Sequence, residues 1–140
     1  MSASTVTRGQ LERNLTQRIQ GFYFDQFGRR PEKVTCQFFD EKLAIAIEKM
    51  VSPAEKLLLE NQRYDYAREL RSQLDIYIKP RLHKLLEEII ETGIIVLLID
   101  TDLDTEISGI IAVLTSSPPV RDPDTIPKVK KEKLVNLNNE

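Results

Sequence analysis

Two apolar segments, 94–99 and 107–114, constrain this chain more than any other feature. The first is continuously apolar, the second nearly so, and the polar stretch 100–106 joins them. A strand with one solvated face alternates apolar and polar residues, and these segments do not, so a hairpin made from them has two apolar faces to cover. The continuous run 94–99 is far too short to span a bilayer. A single layer of helices shelters one face of a sheet, so the chain is expected to bury the other against a second copy of itself.

The remaining segments supply the helices and a first hairpin. Thr7 with Gln10 has the form of a capping box, and Leu11, Leu15, Ile19, Phe22 and Phe27 follow at mostly helical spacing up to Gly28, which predicts a helix over 8–27. Val34, Cys36 and Phe38 alternate with polar neighbours, a polar turn follows at Asp40-Glu41-Lys42, and Leu43, Ile45 and Ile47 alternate again, so a hairpin is expected there. Ser52-Pro53-Ala54-Glu55 combines a cap, a proline suited to the first helical position and a reciprocal acid. It opens a short helix that ends near Asn61. A long helix is expected over 62–91, with the stripe Ala67, Leu70, Leu74, Tyr77, Leu82, Leu85 and Ile89 inward, a kink at Pro80 and a stop at Gly93.

The order is α-β-β-α-α-β-β, one helix–hairpin unit used twice. It predicts an α+β, two-layer sandwich: an antiparallel four-stranded sheet built of two hairpins, with one short and two long helices. Residues 1–115 form the single domain, and 116–140, rich in Pro, Lys and Asn, read as a mostly disordered tail.

Composition excludes several functions. The chain carries 20 Lys and Arg against 22 Asp and Glu, which gives no general attraction to nucleic acid or anionic lipid. Its single cysteine, Cys36, allows neither an internal disulfide nor a Cys-based zinc site, and fits a reducing compartment. No secretory leader is visible, because Arg8, Glu12, Arg13 and Arg18 interrupt the start. The expectation is a cytoplasmic protein without cofactor, nucleic-acid partner or membrane insertion.

Four residues are candidates for binding a partner or ligand. Arg29 and Arg30, after the first helix, could hold a phosphate, a carboxylate or an acidic partner, although basic residues there also suit the helix C-terminus. Arg81 and His83 lie on the long helix, with Glu87 one turn from His83. Asp100, Asp102, Asp104 and Glu106 alternate like a calcium loop, but Thr105 stands at the sixth position and Ile111 at the twelfth, where Gly and Glu belong. A solvated turn is the preferred reading, with the three aspartates as residual cation candidates. No nucleophile–base set appears, so no enzyme is expected.

The order Gly28-Arg29-Arg30-Pro31, a hairpin, then Val51-Ser52-Pro53-Ala54-Glu55-Lys56, together with Arg68, Pro80-Arg81-Leu82, Thr92-Gly93 and Asp100, resembles the MpsC-like family over residues 9–115. Where that family usually has Gly-Arg-Gly-Pro, this chain has Arg30 at the second glycine. The resemblance implies association with a Na+-translocating, membrane-potential-generating system whose membrane partners are linked to inorganic-carbon uptake. It therefore implies an interaction or regulatory subunit, peripheral to the inner membrane through its partner. The alternative is a small-ligand or ion-sensing module with a site at a dimer interface near Arg29 and Arg30.

Overall fold

Thr7 opens the first helix by the predicted box: Gln10 N–H donates to Thr7 Oγ1 at 3.1 Å and Thr7 N–H to Gln10 Oε1 at 2.8 Å. In the computed structural model, which describes residues 6–120, this helix is α1 (Arg8–Phe27), and it stops at Gly28 in the left-handed region (φ 74°). Most of the tail expected over 116–140, with its lysines 128, 130, 131 and 133, lies outside the described residues.

The first hairpin is β1 (Lys33–Phe39) and β2 (Lys42–Glu48), with Val34, Cys36, Phe38, Leu43, Ile45 and Ile47 turned inward as the alternation predicts. Then come α2 (Pro53–Glu60) and α3 (Tyr64–Ile90), followed by β3 (Ile94–Asp102) and β4 (Ile107–Leu114). The four strands form one antiparallel sheet in the order β1-β2-β4-β3. Each hairpin contributes its second strand to the centre, and these strands join from Lys42↔Val113 to Glu48↔Ile107. Leu15, Ile19 and Tyr23 of α1 and Leu82, Leu86 and Ile90 of α3 are buried in one core with Leu43, Ile45, Ile110 and Leu114 of the sheet. The fold is the expected two-layer α+β arrangement.

Three local expectations need correction. The long helix begins at Tyr64, after a break at Asn61, and ends at Ile90. Its end is made by Glu91, held left-handed at φ 63°, and not by Gly93. Gly93 serves close approach instead: a Cβ there would lie 3.1 Å from Thr115 Cγ2. The buried stripe also differs. Tyr77 is 70% exposed, while Ala67, Arg71, Asp75, Ile78, Leu82, Leu86 and Ile89 face inward. Steps of three and four hold throughout that set, and a reading confined to apolar residues skips Arg71 and Asp75. The helix runs through Pro80 without interruption, and Pro80 is exposed, as is Ile76, whose carbonyl loses its partner.

Among the described residues, helices shelter only one face of the sheet. On the other, Phe39, Val96, Leu98 and Ile107 are exposed beside half-buried Ala44, Ala46, Ile111 and Val113. The apolarity of both faces, read from the sequence, is therefore present, with one face bare.

At the start of α2, Glu55 N–H donates to Ser52 Oγ at 3.3 Å and Ser52 N–H to Glu55 Oε1 at 2.9 Å. Ser52→Ala leaves a buried helix donor without its acceptor and should cost about 1 kcal/mol. An unchanged urea midpoint for that variant would remove Ser52 from the cap.

Candidate functional site

The four predicted binding residues separate into two places. Arg81, on α3, donates through Nη1 to Gln26 Oε1 in the last turn of α1 at 2.8 Å, and its guanidinium lies 5.6 Å from the centroid of the exposed Tyr77 ring. Arg30, just past the same end of α1, lies 5.5 Å from the centroid of the exposed Phe24 ring. Arg29 turns back, donating to the Val51 carbonyl at 3.3 Å, and ties the loop to the entrance of α2. Arg30 and Arg81 are thus each tied to the C-terminal end of α1 beside an exposed aromatic ring, and Arg29 braces the loop.

His83 belongs elsewhere. Its Nε2 lies 3.3 Å from the Ile94 carbonyl, and Ile94 N–H donates to Glu87 Oε2 at 2.9 Å. His83 Nδ1 is 3.5 Å from the other Glu87 oxygen. The expected pair is present, and it clasps the first residue of β3 at both backbone groups. Asp100 and Asp102 sit on β3 and Asp104 in the turn beyond, where Asp102 Oδ2 accepts from Thr105 Oγ1 at 2.6 Å. Among the described residues no three His, Cys, Asp or Glu side chains come together as a metal site. Cys36 is buried, and burial pushes its thiol up to about 11, which keeps it unreactive at neutral pH.

The most concentrated polar chemistry was missed by the sequence reading. Arg71 of α3 forks onto Glu55 of α2, with Nε to Oε2 and Nη2 to Oε1 each at 2.6 Å, and Nη2 also donates to the Met50 carbonyl at 3.0 Å. Glu55 is fully buried and Arg71 nearly so. Asp75, one turn on, accepts from Thr101 Oγ1 of β3 at 2.9 Å, and Thr101 shares a 2.6 Å bond with Ser108 of β4. Arg71 Nη1 and Asp75 Oδ1 are 3.6 Å apart, and among the described residues neither has a hydrogen-bond partner. Behind them the Arg71 guanidinium lies 5.3 Å from the Phe27 ring centroid, and Phe27 stacks on Tyr23, whose buried hydroxyl also lacks a partner among the described residues.

Electrostatics here are set by burial. For Arg71, desolvation is the largest influence and works to lower its pKa, but the Glu55 hydrogen bonds and charge, helped by Asp75, outweigh it and hold the guanidinium above its ordinary value. Desolvation raises Asp75, and Arg71 and the Thr101 hydroxyl offset that only in part. Burial likewise raises the Tyr23 phenol. A cleft of about 360 Å³ opens over this cluster between α3 and β3, with exposed Arg68, Ser72, Lys79 and Asp100 around buried Arg71 and Asp75. One sequence signal pointed to the cluster: Arg71 and Asp75 are opposite charges at i and i+4 on the inward stripe.

Fold and surface together define a two-layer α+β domain with two hairpins in one sheet, a buried ion-paired cluster and two exposed guanidinium–aromatic pairs on its helices. The chain belongs to the MpsC family, whose model, described as "Na+-translocating membrane potential-generating system (MpsC)", matches residues 7–116. No curated protein and no solved structure matches it.

Arg71→Met strands two buried carboxylates, so it should cost about 3–5 kcal/mol at neutral pH by chemical denaturation. Asp75 gives a test of opposite sign. Its folded carboxyl holds a proton more tightly than the unfolded one, so its contribution favours the folded state at low pH and is lost as pH rises through the raised pKa. Asp75→Asn should remove that component, leaving stability less favoured by mild acid than in the wild type. Superimposable pH–stability curves would show that Asp75 is not the group responsible.

Proposed function

We infer that this chain is a non-enzymatic, cytoplasmic interaction or regulatory subunit of a membrane cation and inorganic-carbon transport system. It docks on an acidic surface of a membrane-embedded partner and is peripheral to the inner membrane through that contact. One observation carries this reading: Arg30 over Phe24 and Arg81 over Tyr77 are two exposed guanidinium–aromatic pairs, each tied to the last turns of α1. Arg and Tyr are the residues most enriched at the energetic centres of protein interfaces, and a guanidinium fork matches a carboxylate. The family's tie to a Na+-translocating system supplies the partner class, and among the described residues no helix is long and apolar enough to cross a membrane. Under this reading attachment runs through protein contact. A second copy of the chain is the other partner, covering the bare face of the sheet.

The cleft over Arg71 and Asp75 favours a second reading, a small-ligand or ion-sensing module. It lies between α3 and β3 and is not lined by Arg29 or Arg30, and two buried polar atoms beside it lack hydrogen bonds among the described residues.

Arg30→Glu with Arg81→Glu in the tagged full chain separates the two. Arg29 is left intact because it braces the loop through the Val51 carbonyl. The double variant should fold normally and recover a membrane-embedded partner several-fold less well after crosslinking, most clearly at low salt, where exposed charge pairs are least screened. Suppose the wild type recovers no such partner, while bicarbonate, a nucleotide or a cation raises its melting temperature by several degrees. The sensing reading then replaces this one.

A further inference from the structure

We propose that two copies stack the bare faces of their sheets about a twofold axis perpendicular to the strands, so that Glu48 of each copy pairs with Lys42 of the other. This rests on the homodimer reading above and adds its geometry. A twofold axis that brings one face of a sheet onto the same face of its copy lies in the interface plane, and for sheets stacked with nearly aligned strands it runs close to the strand direction or close to perpendicular to it. The charges on the bare face select between the two.

Lys42 and Glu48 lie at opposite ends of the central strand β2, side chains on the bare side, each half-buried already. The Lys42 ammonium stays on that face, 5.9 Å from the Phe39 ring centroid. Being central, both charges would be covered by a stacked sheet, and a covered charge without a partner is costly. An axis along the strands keeps each residue at its own level, setting Lys42 against Val113 and Glu48 against Ile107 of the copy, because those are their neighbours on β4. An axis across the strands, passing over Ile45, exchanges the two ends of β2 and forms the Lys42–Glu48 pair twice.

The neighbouring strand agrees. Ile45 pairs with Ile110, so the same axis exchanges Gly109 with Ile111 and Ile107 with Val113. Gly109 leaves open space on the sheet, with no atom of the described residues within 4 Å of where a Cβ would stand, and the Ile111 side chain of the copy fills it. Ile107 and Val113 then meet as apolar partners. The charges outside this match, Lys33 on β1 and Asp100 and Asp102 on β3, belong to the edge strands and remain at the wetted rim. Stacked sheets cross at about 30°, which carries those corners further apart.

Sedimentation velocity on the full chain tests this. The wild type should be a dimer at tens of micromolar. Lys42→Glu and Glu48→Lys should each weaken self-association by about tenfold or more, because both create two like-charge contacts. Mixed together, the two variants should form a heterodimer, and the double variant K42E/E48K should regain the homodimer. A monomeric wild type overturns the homodimer reading and this geometry with it. A dimeric wild type whose two single variants neither dissociate nor pair with each other overturns the geometry alone. Rescue of Lys33→Asp by Asp102→Lys, with no effect at Lys42 or Glu48, would place the axis along the strands and do the same. Circular dichroism on each variant separates loss of association from loss of fold, a needed control since Glu48 neighbours Lys33 across β1 and β2.

Discussion

A guanidinium taken out of water has to be paired, and the position of Arg71 forces much of the rest of the structure into place. Its fork fixes Glu55, which also accepts from the Ser52 backbone, so one carboxylate both caps α2 and binds α2 to α3. The remaining Arg71 bond holds the Met50 carbonyl at the exit from the first hairpin. Asp75 continues the chain of contacts to Thr101 and Ser108 on the second hairpin. Four elements therefore meet at one buried charge cluster. Such a cluster adds little net stability over an apolar replacement, but it penalises every arrangement that separates its members.

The sheet divides the surface into two independent territories. The helical layer carries the paired guanidinium and aromatic groups at the end of α1 and the middle of α3. The opposite face carries aliphatic side chains from β3 and β4, with Leu98 56% exposed. The proposed contact with an acidic partner and the proposed self-association use opposite layers of the molecule, so neither would occlude the other. The cleft over Arg71 lies at the β3 edge, between these territories.

Much of the fold was legible because local signals agreed with the tertiary outcome. The boxes at Thr7–Gln10 and Ser52–Glu55 mark helix starts whatever surrounds them, and Val34, Cys36 and Phe38 alternate because one side of β1 meets helices. The buried cluster was less legible because charge is normally a mark of the surface. Arg71 and Asp75 occupy inward positions only because Glu55, sixteen residues before Arg71, completes the set, and a helical stripe does not show a partner on another helix. Tyr77 was drawn inward for the converse reason: its ring is apolar, but Arg81 holds it at the surface. For the site, sequence named Arg30 and Arg81 but not the contact of Arg81 with Gln26 at the end of α1, which is tertiary. His83 and Glu87 were correctly paired, though their hold on Ile94 is a tertiary fact.

The strand order β1-β2-β4-β3 also sets a timetable. Each hairpin closes over a short loop, from Phe39 to Lys42 and from Asp102 to Ile107, and needs little of the chain to be organised. The seam between them is another matter, since Glu48 must find Ile107 and Lys42 must find Val113 with α2, α3 and β3 lying between them in the chain. Non-local pairing of this kind spends chain entropy before contacts compensate for it, and it governs how fast such topologies form. Until β2 and β4 meet, both central strands have open edges and uncovered aliphatic faces. During synthesis β4 is the last strand to emerge, so the first hairpin waits with an exposed edge while the polypeptide is completed.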